Sequence, residues 1–357
     1  MNTTAALSID PLSDTTDIML YPMIFQPRYI EKMWGGRKLE TNLRKPIPAG
    51  KPIGESWELY DFPPGIVDGS TDWVSATLLN GPLAGKTLHE LVQQLGKDLH
   101  GDVKLTGAHG QFPILIKFLD AREDLSVQVH PPQAYADAHP GAHLKNEAWY
   151  VLQHDKDARL LKGLVPGTTR ETFEQSIKDG TCESKLQSIK VRSEDCFYLP
   201  SGTVHALGAG ILAAEVQTPS DTTYRVYDFN RVDPSTGQMR ALHVEQALDC
   251  IDFSGREPQL QKKKHEAGVF TQVTRLVQAP QFTIEKVRMS DGVEQAVPYD
   301  QPVVWILIQG EVEIRAKNAT PVKASRGTTV LLPARMDQPV VKAIGDAVWL
   351  EVTFPTS

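Results

Sequence analysis

Along most of the chain the apolar residues come in short runs rich in Val, Ile, Leu and Phe, cut by Pro, Gly, Asn and Asp. Runs of that length between turn residues predict the strands of an antiparallel sandwich or barrel. Helical periodicity is confined to a few places. Leu88 to Leu95 has apolar residues at helical spacing, with Thr87 as N-cap and Gly96 as stop. Thr172 to Ile177 and Val244 to Cys250 predict two more short helices, so the helices read as insertions on a β scaffold. No apolar stretch is long enough to cross a bilayer. Met1 to Asp17 is rich in Thr, Ser and Asp and lacks the basic and apolar regions of a signal peptide; it predicts a disordered tail and a cytoplasmic chain.

One strand stands out for chemistry. In Val127-Gln128-Val129-His130-Pro131-Pro132, residues two apart point to the same face, so Gln128 and His130 aim into one cavity, and Ser126 shares that face. Glu147 heads the aromatic and β-branched run Ala148-Trp149-Tyr150-Val151-Leu152, where an unpaired carboxylate is costly and a cation is expected beside it. Phe197-Tyr198-Leu199-Pro200-Ser201-Gly202-Thr203-Val204-His205 runs strand, turn, strand and delivers a second histidine. Two imidazoles, a carboxylate and an amide oxygen, with no thiolate, suit a catalytic zinc or another divalent first-row metal.

A charged stretch, Gly255 to Gly268, precedes a final segment of domain size. In it, Trp305–Ile314 and Gly327–Arg335 echo the earlier strands. Matching Pro333 to Pro200 puts Gln338 where His205 stands; matching Ile306 to Tyr150 puts Val303 where Glu147 stands. The frame recurs and the ligands do not. The expected organisation is a tail over residues 1–20, a metal-binding catalytic unit with helical insertions over 21–255, and a C-terminal unit lacking metal ligands over 256–357.

Composition narrows the partners. With a formal net charge of −7 on 357 residues, a nucleic-acid partner has little electrostatic support, and an anionic substrate needs a local basic pocket. The three cysteines, Cys182, Cys196 and Cys250, show no metal spacing and point to a reducing compartment. His139 and His143 fall in the Pro140-Gly141 loop and read as exposed.

The ordered motifs resemble the cupin superfamily, and more closely the type I phosphomannose isomerases. They are Ser126-Val127-Gln128-Val129-His130-Pro131-Pro132, Lys145-Asn146-Glu147-Ala148-Trp149-Tyr150, Pro200-Ser201-Gly202-Thr203-Val204-His205-Ala206-Leu207, and Glu215-Val216-Gln217 continuing to Tyr224-Arg225-Val226-Tyr227-Asp228-Phe229-Asn230-Arg231. Trp34-Gly35-Gly36-Arg37 and Gly54-Glu55-Ser56-Trp57-Glu58 extend the likeness, which covers most of Phe25 to Leu248. The resemblance implies a mainly β bicupin of two jelly-roll barrels with a few inserted helices. It also implies one Zn2+ per chain on Gln128, His130, Glu147 and His205, with Arg225 catalytic.

By the same resemblance Lys145 and Glu215 join the catalytic groups, and Ser126, Lys117 and Arg231 bind substrate, a sugar phosphate. The position of Arg231 is lysine in some relatives, which keeps the charge and changes the donor fork. The activity implied is interconversion of mannose 6-phosphate and fructose 6-phosphate through a cis-enediol. A metal-dependent cupin oxygenase and a non-catalytic sugar-phosphate-binding cupin are the competing readings; neither the proton-transfer group nor the oligomeric state follows from the sequence.

Overall fold

The computed structural model describes residues 19–67, 69–233, 236–255, 264–267 and 270–355. The expected N-terminal tail therefore lies almost wholly outside the described residues, as does most of the charged stretch 255–268. Within that stretch Lys264–Ala267 pairs as a strand with Thr271–Gln278.

The chain is mainly β, as expected, with antiparallel pairing in every ladder described. Three larger sheets carry the structure. A six-stranded sheet runs Cys196–Leu199, Glu147–His154, Ile211–Gln217, Leu115–Ala121, then Arg28–Gly36 and Ile53–Leu59. A five-stranded sheet runs Leu186–Lys190, Arg159–Leu164, His205–Ala206, Val127–Val129, Tyr224–Tyr227. The eight strands from Lys264 on form a nine-stranded sheet together with Met23–Ile24, which joins one end by pairing with Thr329–Leu332.

Burial explains the sequence pattern. Every residue of Ile53–Leu59, Leu115–Ala121 and Ile211–Gln217 is buried, because the six-stranded sheet is covered on both faces. Alternate residues such as Ile116, Phe118, Ala148, Ala214 and Val216 pack on Ile284, Val304, Ile306, Leu350 and Val352 of the nine-stranded sheet. The opposite set, including Leu119, Trp149, Val151 and Ala213, fills the first barrel. Covering both faces removes the polar alternation that marks a solvated strand, which is why these segments read as unbroken apolar runs.

The outer face of the five-stranded sheet is closed by helices. Val127, Val129, Ala206 and Val226 pack on Phe173 of the helix Arg170–Lys178 and on Ala247, Leu248 and Cys250 of the helix Val244–Cys250. These are the two later helices expected from the sequence, the first longer by a few residues. Leu88–Leu95 is helical as expected: Thr87 and Glu90 form a reciprocal capping box, and Gly96 ends it. The helices Lys38–Leu43 and Gln133–Ala138 were not foreseen.

The Trp34-Gly35-Gly36 segment owes its position to a close approach of backbones. A Cβ on Gly35 would lie 2.4 Å from the Gly54 nitrogen, and one on Gly36 would lie 2.6 Å from an Asp120 oxygen. Only glycine fits there. The contact lets Trp34, 3% exposed, reach the cavity of the first barrel.

Candidate active site

The strand register sets the site. His205 pairs across the ladder with Gln128, and Gln128 with Arg225. Directly opposed residues share a face, so these three side chains stand abreast on the inner wall. His130 follows two positions after Gln128, and Glu147 faces them from the start of its strand in the six-stranded sheet.

Asn146 fixes that facing. Its side-chain oxygen accepts from the Ser201 nitrogen at 2.8 Å, and its own nitrogen donates to Thr218 Oγ1 at 3.1 Å. The turn that carries His205 is thereby tied to the strand that carries Glu147.

The cluster is deeply buried. His130, Glu147 and His205 are each 1% exposed or less, and their ligand atoms all lie within 4.8 Å of one another. Glu147 Oε2 is 3.3 Å from His130 Nε2, and Oε1 is 3.1 Å from His205 Nε2. His130 Nε2 makes no hydrogen bond, and the Glu147 oxygens face the two imidazoles and the Lys145 ammonium. The other imidazole nitrogens are engaged: His130 Nδ1 lies 3.0 Å from the Thr222 carbonyl and His205 Nδ1 lies 2.8 Å from that of Thr203. Donation there leaves both Nε2 lone pairs facing Glu147, the tautomer of a metal-binding histidine.

Electrostatics agree. Burial, helped by the Lys145 ammonium, holds His130 down to about 3, so its imidazole is neutral. Burial works to raise Glu147, but Lys145 and His130 override it and hold the carboxyl well below the usual range. A charged carboxylate set between His205 and the neutral His130 imidazole, whose Nε2 has no hydrogen-bond partner, fits a divalent cation. Gln128 stands beside them, its amide nitrogen 3.4 Å from His205 Nε2.

Above the cluster lies a cavity lined by Lys117, Ser126, Lys145, Glu215 and Arg225, among others. Lys145 Nζ is 2.9 Å from Glu147 Oε2. Lys117 sits between two carboxylates, 3.4 Å from Glu55 and 3.4 Å from Glu215. Burial lowers its pKa, yet the two carboxylates more than reverse this, and the ammonium is held above its usual range. Glu215 accepts the Trp149 indole N–H at 3.0 Å, and burial pushes its carboxyl up. Trp149 in turn meets the His205 ring edge-on at 5.3 Å.

Arg225 reaches Ser126 Oγ from Nε at 3.3 Å and the Ala241 carbonyl from Nη1 at 2.8 Å. Asp228 binds Arg231 and Arg240. Arg231 does not line the cavity: its guanidinium contacts Asp228 and the Asp124 carbonyl and lies over the Phe229 ring at 5.2 Å. His139 is exposed, as expected, and stacks on Tyr135 at 3.8 Å. His143 is half-buried.

Lys32, Glu55, Asp221, Thr223 and Arg240 also line the cavity, and sequence reasoning had not placed them there. For Arg240 a signal existed. The turn-forming Asp233-Pro234-Ser235-Thr236-Gly237 predicts a hairpin that sets Arg231 and Arg240 side by side, and Val232 indeed pairs with Met239.

Known proteins share this arrangement of chain. Residues 23–161 match the catalytic domain of phosphomannose isomerase type I. The mannose-6-phosphate isomerase of Streptococcus mutans is 38% identical over 283 residues, covering 79% of this chain and 84% of that protein. The mannose-6-phosphate isomerase ManA of Bacillus subtilis is 35% identical over 318 residues, covering 87% and 93%. The crystal structure of the mannose 6-phosphate isomerase from Bacillus subtilis superposes with a TM-score of 0.82 at 29% identity, covering 93% of this chain and 99% of that one. Among the described residues no helix is long and apolar enough to cross a membrane. Sequence and fold, matched over nearly the whole length of these relatives, place this chain in the type I phosphomannose isomerase family.

Proposed function

We propose that the protein interconverts mannose 6-phosphate and fructose 6-phosphate, with one zinc ion held by Gln128, His130, Glu147 and His205. The carrying observation is the buried His130–Glu147–His205 cluster, whose His130 Nε2 makes no hydrogen bond, beside a cationic cavity lined by its neighbours Gln128 and Lys145. Zinc in that place would supply charge stabilisation for adjacent sugar oxygens without redox chemistry. Gln128 would join with its amide turned over, presenting Oε1 where Nε2 now faces His205.

The chain's own residues supply the rest. Aldose–ketose exchange through a cis-enediol moves one proton between neighbouring carbons and builds charge on their oxygens. We assign the proton transfer to Glu215 and Lys145. Burial raises the Glu215 carboxyl, the direction that suits a group which must both take and return a proton. Trp149 and Lys117 hold that carboxylate in place. Lys145, beside Glu147, can steady charge on the enediol oxygens. Arg225, always charged and planar, grips the oxygen-rich intermediate and is a poor base. Ser126, which accepts from Arg225, and Lys117 complete the substrate-binding wall.

We read residues 21–255 as the catalytic unit and 256–357 as a C-terminal unit without metal ligands. The buried Val303 and the exposed Gln338, which occupy the matched positions, support that division.

The test is direct. Zinc-loaded protein given mannose 6-phosphate should yield fructose 6-phosphate in a coupled assay, and no product would overturn the reading. Arg225→Ala should keep its metal and fold while turnover falls about 10²–10³-fold, the usual effect of losing a charge-stabilising donor; an unchanged rate would remove its role.

A further inference from the structure

Resting on the activity proposed above, we infer that Arg240 is the group that grips the phosphate of the sugar, at the outer end of the cavity. Arg240 lines the cavity and is pinned by one carboxylate: Nε donates to Asp228 Oδ2 at 2.8 Å and Nη2 to Oδ1. Among the described residues its Nη1 has no partner, so one edge of a fixed donor fork is left for a ligand.

The charge distribution singles out this wall. The other cavity cations already have carboxylates: Lys32 is on Glu55, Lys117 lies between Glu55 and Glu215, and Lys145 is on Glu147. Arg225, Arg231 and Arg240, by contrast, crowd around a single carboxylate, Asp228. Burial and then the neighbouring Arg240 charge lower the pKa of Arg225, against the opposing pull of Asp228. A dianion with several acceptor oxygens relieves that repulsion, and guanidinium forks match phosphate geometry.

The order of residues also fits. Gln128, in the metal cluster, is followed across the ladder by Arg225. Arg225 is bonded in turn to the Arg240–His243 segment, through the Ala241 carbonyl and through the His243 nitrogen, which donates to the Arg225 carbonyl at 2.8 Å. A hexose with its first two carbons at the metal would present its distal phosphate to Arg240. Arg231 donates to the same Asp228 Oδ1 and serves as the strut that fixes Asp228 beneath Arg240.

The experiment compares Arg240→Ala and Arg240→Lys with the unaltered zinc enzyme. Arg240→Ala should raise KM for mannose 6-phosphate by about tenfold or more, the scale of a lost charge-assisted hydrogen bond, with kcat at saturation nearly unchanged. The inhibition constant of inorganic phosphate should rise by a similar factor, and kcat/KM for unphosphorylated mannose should stay the same. Arg240→Lys should recover part of the affinity. Equal losses on phosphorylated and unphosphorylated sugar, or an unchanged phosphate affinity, would overturn the proposal. Binding of inorganic phosphate, followed by 31P NMR, reads Arg240 without turnover. A wild-type protein that binds phosphate through Arg240 and fails to isomerise mannose 6-phosphate would therefore sink the activity and spare the subsite. Should Arg240→Ala fail to fold, Arg240→Gln carries the same readouts.

Discussion

The two halves of the molecule build one row of side chains in the same way and put it to different ends. In the first barrel Trp149, Glu215, Lys117 and Trp57 lie opposite one another across four strands. In the C-terminal sheet Trp305, Glu351, Glu285 and Arg275 do the same. Both rows keep an indole N–H donated to a buried glutamate, at 3.0 Å in the first and 2.8 Å in the second. Beside that glutamate the first barrel sets a buried ammonium, and the second sets another carboxylate whose cation, Arg275, lies one strand further out. The Trp–Glu pair therefore belongs to the architecture, and the cation at its side belongs to the site. The metal-binding positions diverge more sharply, with Val303 packed into an apolar core where Glu147 stands.

The largest break in this comparison comes from the ligands. His130→Ala or His205→Ala should lose metal and activity together, by more than about a hundredfold, since even groups behind metal ligands are worth 10–100-fold. Gln338→Ala, at the matched C-terminal position, should change neither; elemental analysis and the isomerase assay read both. Full metal occupancy in the histidine variants would end the ligand assignment.

A smaller effect separates the two rows themselves. Lys117→Met leaves Glu215, 4% exposed, without its cation while Glu55 keeps Lys32, and breaking such a buried pair costs about 3–5 kcal/mol. Arg275, 36% exposed in its pair with Glu285, should cost less than about 1 kcal/mol when changed to Met. Denaturant unfolding of the two variants measures the contrast, and equal losses would erase it.

The smallest effect concerns Glu351. Burial raises its carboxyl above the ordinary value of 4.5, so the unfolded chain gives up this proton first as pH rises. The contribution is complete below that ordinary value and is lost as pH climbs through the raised folded value. Glu351→Gln, neutral throughout, should flatten that part of the melting profile between acid and neutral pH. A variant profile parallel to wild type would show that Glu351 does not titrate there.

What the sequence disclosed follows from range. The helix Leu88–Leu95 carries its own capping box, and Val244–Cys250 its own spacing, so both are visible locally. The ligands are visible because a metal dictates residue type and strand parity brings Gln128 and His130 to one face. Lys38–Leu43 was hidden because its first N–H is bound by Asp120, a residue of a distant strand. Arg231 shows the same limit: it is a cation near the right motif, yet it ends on Asp228 and a backbone carbonyl. Lys117 does line the cavity, but the two carboxylates beside it are brought together only by the register of three strands.

Met23 and Ile24 are hydrogen-bonded to Leu331 and Val330, almost the full chain away. During synthesis this early strand leaves the ribosome long before its neighbour exists, and its open edge waits until translation is nearly finished. Closure of so long a loop sets a slow late step in maturation. A ribosome stalled short of Thr329 would release a product with its first strand unmatched, a natural target for chaperone capture.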